Sequence, residues 1–368
     1  MATSPATSAQ GLRAAWSRVG RLVLFAVVPA VVAASFMLGG RHNFAFDFHI
    51  FWSASRRVLH GHSPYPSPSV VARATSPTIH HQFFVYPPLL AVLLIPLAAL
   101  PFAAAAAINT VLVLACVAGG LRLLGVTDWR CYTTALTTIP VLSSIRLGAI
   151  SPFLMLAAAL AWHYRHRWAI AGAAVGVAVV AKLFVWPLLI WLLLTRRFKA
   201  AAVASVGAAA VTLAVWAAIG FRGLTGYPSL LHNLTRIESL WGFSLVALAD
   251  RLHFPDPQTS WLLVGAPIAA LLLGSCFVRA REGEADRRLF VVSIGLAILL
   301  TPILWLHYLT LLLVPVALSR RTFGIEWMLL LAFWISPYQQ PETLAAWRIA
   351  TALALVVAIT WRARRPAV

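Results

Sequence analysis

The stretch Phe44–Pro66, FAFDFHIFWSASRRVLHGHSPYP, sets one carboxylate, Asp47, among Phe44, Phe46, Phe48, Phe51 and Trp52. Aromatic residues at that density suggest an amphipathic segment lying along a membrane interface. A carboxylate at such an apolar boundary is partly desolvated, which raises its pKa and suits it to accept a proton. The competing reading is an ion pair with Arg41, Arg56 or Arg57, because structural pairs also perturb acids. Lys182 is the sole charge between Trp168 and Thr195. An ionisable group at membrane depth is a functional candidate by default, the alternative being a lysine that stretches to the interface along its own stem. His307, in WLHY, either exchanges or donates a proton or packs as a neutral ring between Trp305 and Tyr308.

Other polar residues point elsewhere. Asp128, Glu282, Glu284, Asp286 and Glu326 stand on or near the basic side of the chain, most of them in loops with arginines, and read as solvated loop charges. Asp256, between Pro255 and Pro257, reads as a turn residue. Glu238, Asp250 and Glu342 remain without a role. The histidines His60, His62, His80 and His81 have no acid at ligand spacing, so no metal is expected. Cys116, Cys131 and Cys276 fall in or beside apolar segments, and neither a disulfide framework nor a metal site follows from them.

The elements that must hold these residues are apolar. The chain is 61% hydrophobic and 11% charged, with a mean hydropathy of +0.85, which excludes a water-soluble globular domain. Leu22–Leu38, Pro101–Leu124, Ala200–Ile219 and Trp261–Phe277 approach the roughly 20 apolar residues that cross a bilayer core. Their unbroken Leu/Ala/Val runs lack the alternation of a barrel, so they are helices. The first is expected to be a retained helix, because no small-residue cleavage site follows it. The formal charge of +19 lies in short clusters between apolar runs. That pattern argues for topology determinants and against nucleic-acid binding.

If every cluster is cytoplasmic, the segments between them leave and return. Trp168–Thr195 then forms two short helices meeting near Lys182. Residues 289–319 meet at TPILWLHY, residues 323–360 at SPYQQPE, and RLGAISP is a further apex, each break carrying proline or polar residues. This gives a single all-α integral membrane domain, residues 1–368, with about 12 helices and both termini cytoplasmic. Residues 39–85 form a first external loop with amphipathic interfacial helices, residues 220–260 a second external loop, and Tyr86–Leu100 a re-entrant stretch.

Asp47 with FWSASRRVLHGHSPY, and then FVYPPLLAVLLIPLAALP, resembles the membrane glycosyltransferases of family 87. These belong to the GT-C superfamily and include actinobacterial polyprenyl-phosphomannose-dependent mannosyltransferases and related arabinofuranosyltransferases. The likeness rests on Asp47, Trp52, Ala54, Gly61, Pro64, Tyr65, Tyr86, Pro87 and Pro88 in that order. The lysine-and-proline pair in AGAAVGVAVVAKLFVWPLLIWLLLTRRFKA and the block LLTPILWLHYLTLLLVP extend it to about Pro315. In LGAISPF, Gly148 is present without the glutamine that often follows in the family, and the family's histidine pair is His307 followed by Tyr308.

The resemblance implies an extracytoplasmic, inverting transfer of one sugar from a polyprenyl-phosphate donor to an envelope glycolipid or polysaccharide. Mannose is the first choice of sugar and arabinofuranose the second. It implies Asp47 as general base, with the donor phosphate and sugar held by residues drawn from Lys182, His307, Arg146, Arg236, Tyr86, Tyr65 and Trp52. Interfacial aromatic belts and an ordinary exposed loop arginine are the plainer readings for the rings and for Arg236. No cofactor is expected beyond the lipid-linked co-substrate. A lipid flippase or transporter is the alternative class, which would carry inverted repeats and intrahelical acids.

Overall fold

The computed structural model describes residues 19–39, 44–67, 83–277, 284–336 and 344–364, and every regular element among them is helical. Among the described residues five helices are long and apolar enough to cross a membrane: Val19–Gly39, Phe102–Leu123, Phe198–Ala218, Pro257–Phe277 and Ala346–Ala363. A sixth crossing exists if Ile139–Leu147 and Ser151–His163, which meet at 119°, form one broken span. The remaining apolar sequence is cut into shorter helices, among them Trp168–Ala181, Leu183–Leu194, Leu306–Ser319 and Ile325–Ile335. Length and composition thus identify five or six spans among the described residues, where the sequence leads to an expectation of about 12 helices. Many of the apolar runs are interrupted before they reach the length of a bilayer core.

The interruptions have local causes. Gly148 takes a left-handed backbone, φ +67°, and ends the Ile139–Leu147 helix. A β-carbon there would also fall 2.7 Å from the Phe48 Cβ, so glycine is needed twice over. Lys182 is extended between Trp168–Ala181 and a single 3₁₀ turn, Leu183–Val185, after which Pro187 opens Pro187–Leu194. Glu284–Leu299 stops ahead of Thr301-Pro302, and a 3₁₀ stretch, Leu306–Leu312, leads into Leu313–Ser319. These breaks lie where the sequence places them. The apex expected at SPYQQPE falls largely outside the described residues, as do Arg13, Arg18, Arg41, Arg73, His80, His81, Glu282 and Glu342.

The basic clusters meet at one end of the bundle. Asp286 accepts two bonds from Arg197, at 2.6 and 2.8 Å, and one from the Trp191 indole at 2.7 Å, with Arg165 at 3.4 Å. Asp128 caps Trp129–Thr137, chelates Arg130 and accepts the Phe323 amide at 3.0 Å. Arg130's hydrogen bonds hold its carboxyl down at about 2. Glu326 is buried between Arg362, at 3.0 Å, and Arg320, at 3.8 Å. Asp128, Asp286 and Glu326 are thus not the solvated loop charges expected of them. Each ties separate segments of the chain together, because a partly buried carboxylate needs paired donors. Glu284 pairs with Arg288 across one helical turn.

Removing the hub of this network should show as instability. Asp286→Ala is expected to cost about 2 kcal/mol, in the range of hydrogen bonds to charged groups. The loss would be read as a lower Tm of the purified protein with activity per folded molecule retained. An unchanged Tm would refute the structural role.

Small residues close the middle of the bundle. A β-carbon on Gly172 would lie 2.5 Å from the Ala200 carbonyl oxygen, and one on Gly176 would lie 2.9 Å from that of Ala204. Trp168–Ala181 and Phe198–Ala218 therefore meet backbone to backbone, the packing that small residues permit between helices in lipid. The outer faces of the spans stay apolar and exposed, as at Leu213, Leu263 and Leu271.

Residues 220–260, expected as a loop, contain two helices, Tyr227–Glu238 and Leu245–Arg251. Phe46–Leu59 is a 14-residue helix that buries Phe48, Phe51, Ala54 and Ser55 on one face. The stretch after Tyr86 forms two short helices, Leu89–Leu93 and Ile95–Ala98, packed against it.

Candidate active site

At the end of the bundle away from the arginine network, five chain segments converge on Asp47. The Phe46–Leu59 helix starts from Ala45, which is left-handed at φ +55° and donates its amide to the Arg146 carbonyl at 2.6 Å. Arg146 is itself buried, with its guanidinium 4.4 Å from the Phe36 ring. Its backbone therefore sets where the Asp47 helix begins, while its side chain lies over an aromatic ring.

Asp47 is the acid in the first turn of that helix, and its side chain is 16% exposed. Burial raises its carboxyl to about 6, with the charge of Lys182 pulling the other way. His307 is buried, and its Nε2 lies 3.6 Å from the Asp47 Oδ2. Burial and then the charge of Lys182 push the His307 pKa well below the usual imidazole range, so the ring is neutral, and the separation is too long for a hydrogen bond. Its Nδ1 has no hydrogen-bond partner among the described residues. The backbone of His307 is steadied through Ser144, whose hydroxyl reaches the Thr310 hydroxyl at 2.9 Å and the His307 carbonyl at 3.4 Å.

Lys182 reaches the same place from the break after Trp168–Ala181. Its ammonium donates to the Tyr86 hydroxyl at 3.0 Å and sits 3.7 Å from the centre of the Tyr308 ring. Phe184 stacks on Tyr308 at 4.9 Å. A lysine amine between two phenol rings is stabilised by their faces and stays available to an anion. Tyr86 is fixed in turn by Phe51, 4.9 Å away and one helical turn beyond Asp47. Its carbonyl accepts the Tyr65 hydroxyl at 2.9 Å, and Tyr65 is wedged between Trp216 and Tyr227.

Asp47, Lys182, His307 and Tyr86 thus come together, with Tyr65 as a buttress behind them. Trp52 and Arg236 do not join the cluster. Trp52 follows Asp47 by five residues, roughly 140° around the helix, and its indole donates to the Leu100 carbonyl at 3.3 Å. Arg236 is exposed, two residues and roughly 200° from the helix position of Glu238. His60 bonds its own helix at the Arg56 carbonyl. Among the described residues no three His, Cys, Asp or Glu side chains form a metal-binding group.

Sequence reasoning missed two members. Glu238, the last residue of Tyr227–Glu238, lies in electrostatic range of Lys182 and Asp47. Burial raises its carboxyl to about 7, with Lys182 lowering it and Asp47 raising it. Tyr308, read only as a packing neighbour, supplies the ring over Lys182. The available signal for Glu238 was its place among the few acids outside the basic clusters. The arrangement offers a proton acceptor beside a histidine, with a cation a short distance away for an anionic leaving group.

A sequence profile described as Glycosyltransferase family 87 matches residues 84–302, more than half of the chain. That range includes Tyr86, Lys182 and Glu238, and stops short of Asp47 and His307. A curated relative from Mycobacterium tuberculosis is 28% identical over 360 residues, covering 89% of this chain and 80% of its own length. It is named a polyprenol-phosphate-mannose-dependent alpha-(1-2)-phosphatidylinositol pentamannoside mannosyltransferase. A protein of the same name from Mycolicibacterium smegmatis is 28% identical, covering 70% of this chain and 69% of its own. No solved structure matches significantly. The profile match, spanning the segments that carry Tyr86 and Lys182, makes this chain a member of glycosyltransferase family 87.

Proposed function

We propose that the protein is a membrane mannosyltransferase that takes its sugar from a polyprenyl-phosphate donor and passes it to an envelope glycolipid or polysaccharide. The observation that carries this reading is the meeting of Asp47, His307 and Lys182 at one end of an apolar helical bundle. A prenyl tail lies in lipid and its phosphate at the interface, so the chemistry belongs where helix ends meet the headgroup region. The names of the two mycobacterial relatives support mannose as the sugar and a phosphatidylinositol-mannoside glycolipid as the acceptor class.

In the reaction, an acceptor hydroxyl attacks the anomeric carbon from the face opposite the phosphate. The new carbon–oxygen bond forms as the bond to the phosphate oxygen breaks, and the anomeric configuration inverts. Asp47 accepts the hydroxyl proton as general base. The departing polyprenyl phosphate gains negative charge, which the Lys182 ammonium stabilises in place. The phosphate leaves without needing protonation, so one base suffices and no metal is called upon. His307 orients the Asp47 carboxylate and offers Nδ1 to the substrate.

The site end of the bundle is extracytoplasmic in this reading. The arginine-rich end and both termini are cytoplasmic, following the bias of basic residues to that side. Phe46–Leu59 lies along the outer interface, and the broken apolar pairs bring the helix count towards 12 in a GT-C type arrangement.

The test is transfer of radiolabelled mannose from polyprenyl-phosphomannose into lipid-extractable or polymeric product by membranes containing the protein. Product that depends on the protein supports the reading. Transfer only from a polyprenyl-phosphate arabinofuranose donor would change the sugar. Movement of lipid across liposomes with no glycosidic product would replace the proposed reaction by transport.

A further inference from the structure

The helix Tyr227–Glu238 is fastened at both ends to the segments that carry the active site. At its start, the Tyr227 hydroxyl donates to the Val85 carbonyl at 3.2 Å, next to Tyr86, and the ring packs on Tyr65 and Trp216. Just past its end, the Phe243 amide donates to the Leu304 carbonyl at 2.7 Å, three residues before His307. Gly242 touches the same carbonyl so closely that a β-carbon would collide with it. Ser239, which follows Glu238, is buried and accepts a bond from Gln258 at 3.0 Å. Glu238 is therefore held between the Tyr86 and His307 segments rather than free on a loop.

The titratable groups in electrostatic range of it are Asp47 from Phe46–Leu59, Tyr86 from the segment before Leu89–Leu93, Lys182 from the break after Ala181, and Tyr308 beside His307. On its own helix, His232 and Arg236 are exposed. The cluster thus contains two carboxyls and one lysine. With all three ionised it already carries one surplus negative charge. A sugar phosphodiester brings a second, into a site shielded from water where unbalanced like charges are costly. Asp47 has to remain ionised to act as base, and Lys182, whose pKa burial lowers to about 7, has to be charged to hold the phosphate. The surplus negative charge is therefore removed only if Glu238 takes up a proton.

Resting on the donor class proposed above, we propose that Glu238 is a proton-carrying member of the donor-phosphate site: it is neutral when a sugar phosphodiester docks on Lys182, so donor binding is coupled to uptake of one proton. Its raised pKa, about 7, leaves that proton readily available near neutrality. The uptake does not enter the chemical balance of transfer. The acceptor's proton goes to Asp47, the phosphodiester monoanion becomes a phosphate monoester dianion, and Glu238 returns its proton to solvent once product has left. The neutral carboxyl donates a hydrogen bond where an ionised one would repel the phosphate.

The experiment is calorimetric titration of the full chain in nanodiscs with polyprenyl-phosphomannose and no acceptor, in buffers of differing ionisation enthalpy, between pH 6 and 9. The donor is a phosphodiester and does not itself titrate in that range. At pH 8 the wild type is expected to absorb close to one more proton per donor bound than Glu238→Gln. Its Kd should climb by up to tenfold per pH unit more steeply than that of the variant, the limit for one linked proton. Glu238→Gln should bind at pH 8 at least as tightly as the wild type, which damage to the fold would not produce. Glu238→Ala provides the same comparison if the glutamine variant does not accumulate. Equal proton uptake in wild type and variant, or weaker binding by the variant at every pH, overturns the proposal. Absence of donor binding at any pH overturns the donor class and the proposal with it, whereas binding without later transfer to an acceptor leaves the proposal standing.

Discussion

Asp47→Asn is expected to lower sugar transfer by about 10³-fold, within the 10²–10⁴ range of general acid–base catalysis, with accumulation and Tm close to wild type. Asparagine keeps the shape of the side chain and the contact with His307, but it cannot take a proton. The pH profile provides a second readout. Burial holds the Asp47 carboxyl at about 6 against the pull of Lys182, and only the ionised form is a base. The kcat/KM of the wild type should therefore fall about tenfold per unit as pH drops below about 6. The residual rate of Asp47→Asn should show no such limb. Initial rates with labelled donor at saturating acceptor, from pH 4.5 to 9, measure both. Retention of more than a tenth of wild-type transfer by Asp47→Asn would remove Asp47 as the base.

Lys182→Met should cost about 10²–10³ in kcat, the scale reported for deleting one preorganised stabiliser of transition-state charge. Methionine keeps the length of the stem between Tyr86 and Tyr308 while removing the charge. The sign of an accompanying shift follows from the same contact. Lys182 lowers the Asp47 pKa, so without it the carboxyl rises above about 6, and the acid limb moves to higher pH. A variant that lost rate through misfolding alone would keep the limb in place on its folded fraction. An unmoved limb together with wild-type kcat would show that Lys182 is a structural lysine held between two rings. Glu238 and Lys182 together set the other side of the profile, because a donor that needs their protons binds less well above about 7. With Asp47, they place the optimum of kcat/KM for the donor between about 6 and 7.

The departures of Trp52 and Arg236 from the cluster show where reasoning along the chain runs out. Both stand within a few residues of true members, Asp47 and Glu238, and both are of types that bind sugars or phosphates. Helical rotation alone sends them elsewhere, Trp52 to the Leu100 carbonyl and Arg236 to the surface. Asp286 is a parallel case at the opposite end. Its arginine-rich loop reads as solvated, yet Arg165, Trp191 and Arg197 come from other segments to meet it.

What the amino-acid sequence determined by itself was the solvent, the helical class, the positions of the breaks and the identity of the candidate base. Those features depend on local composition: apolar runs, a glycine with positive φ at 148, a proline at 187, and one carboxylate in an aromatic stretch. What only the tertiary structure decided was which groups share a site. Lys182 meets Tyr86 across 96 residues of chain, and Glu238 reaches them because Gly242 lets the backbone press against Leu304. Proximity of that kind is a product of packing between distant segments, and no periodicity or spacing along the chain encodes it.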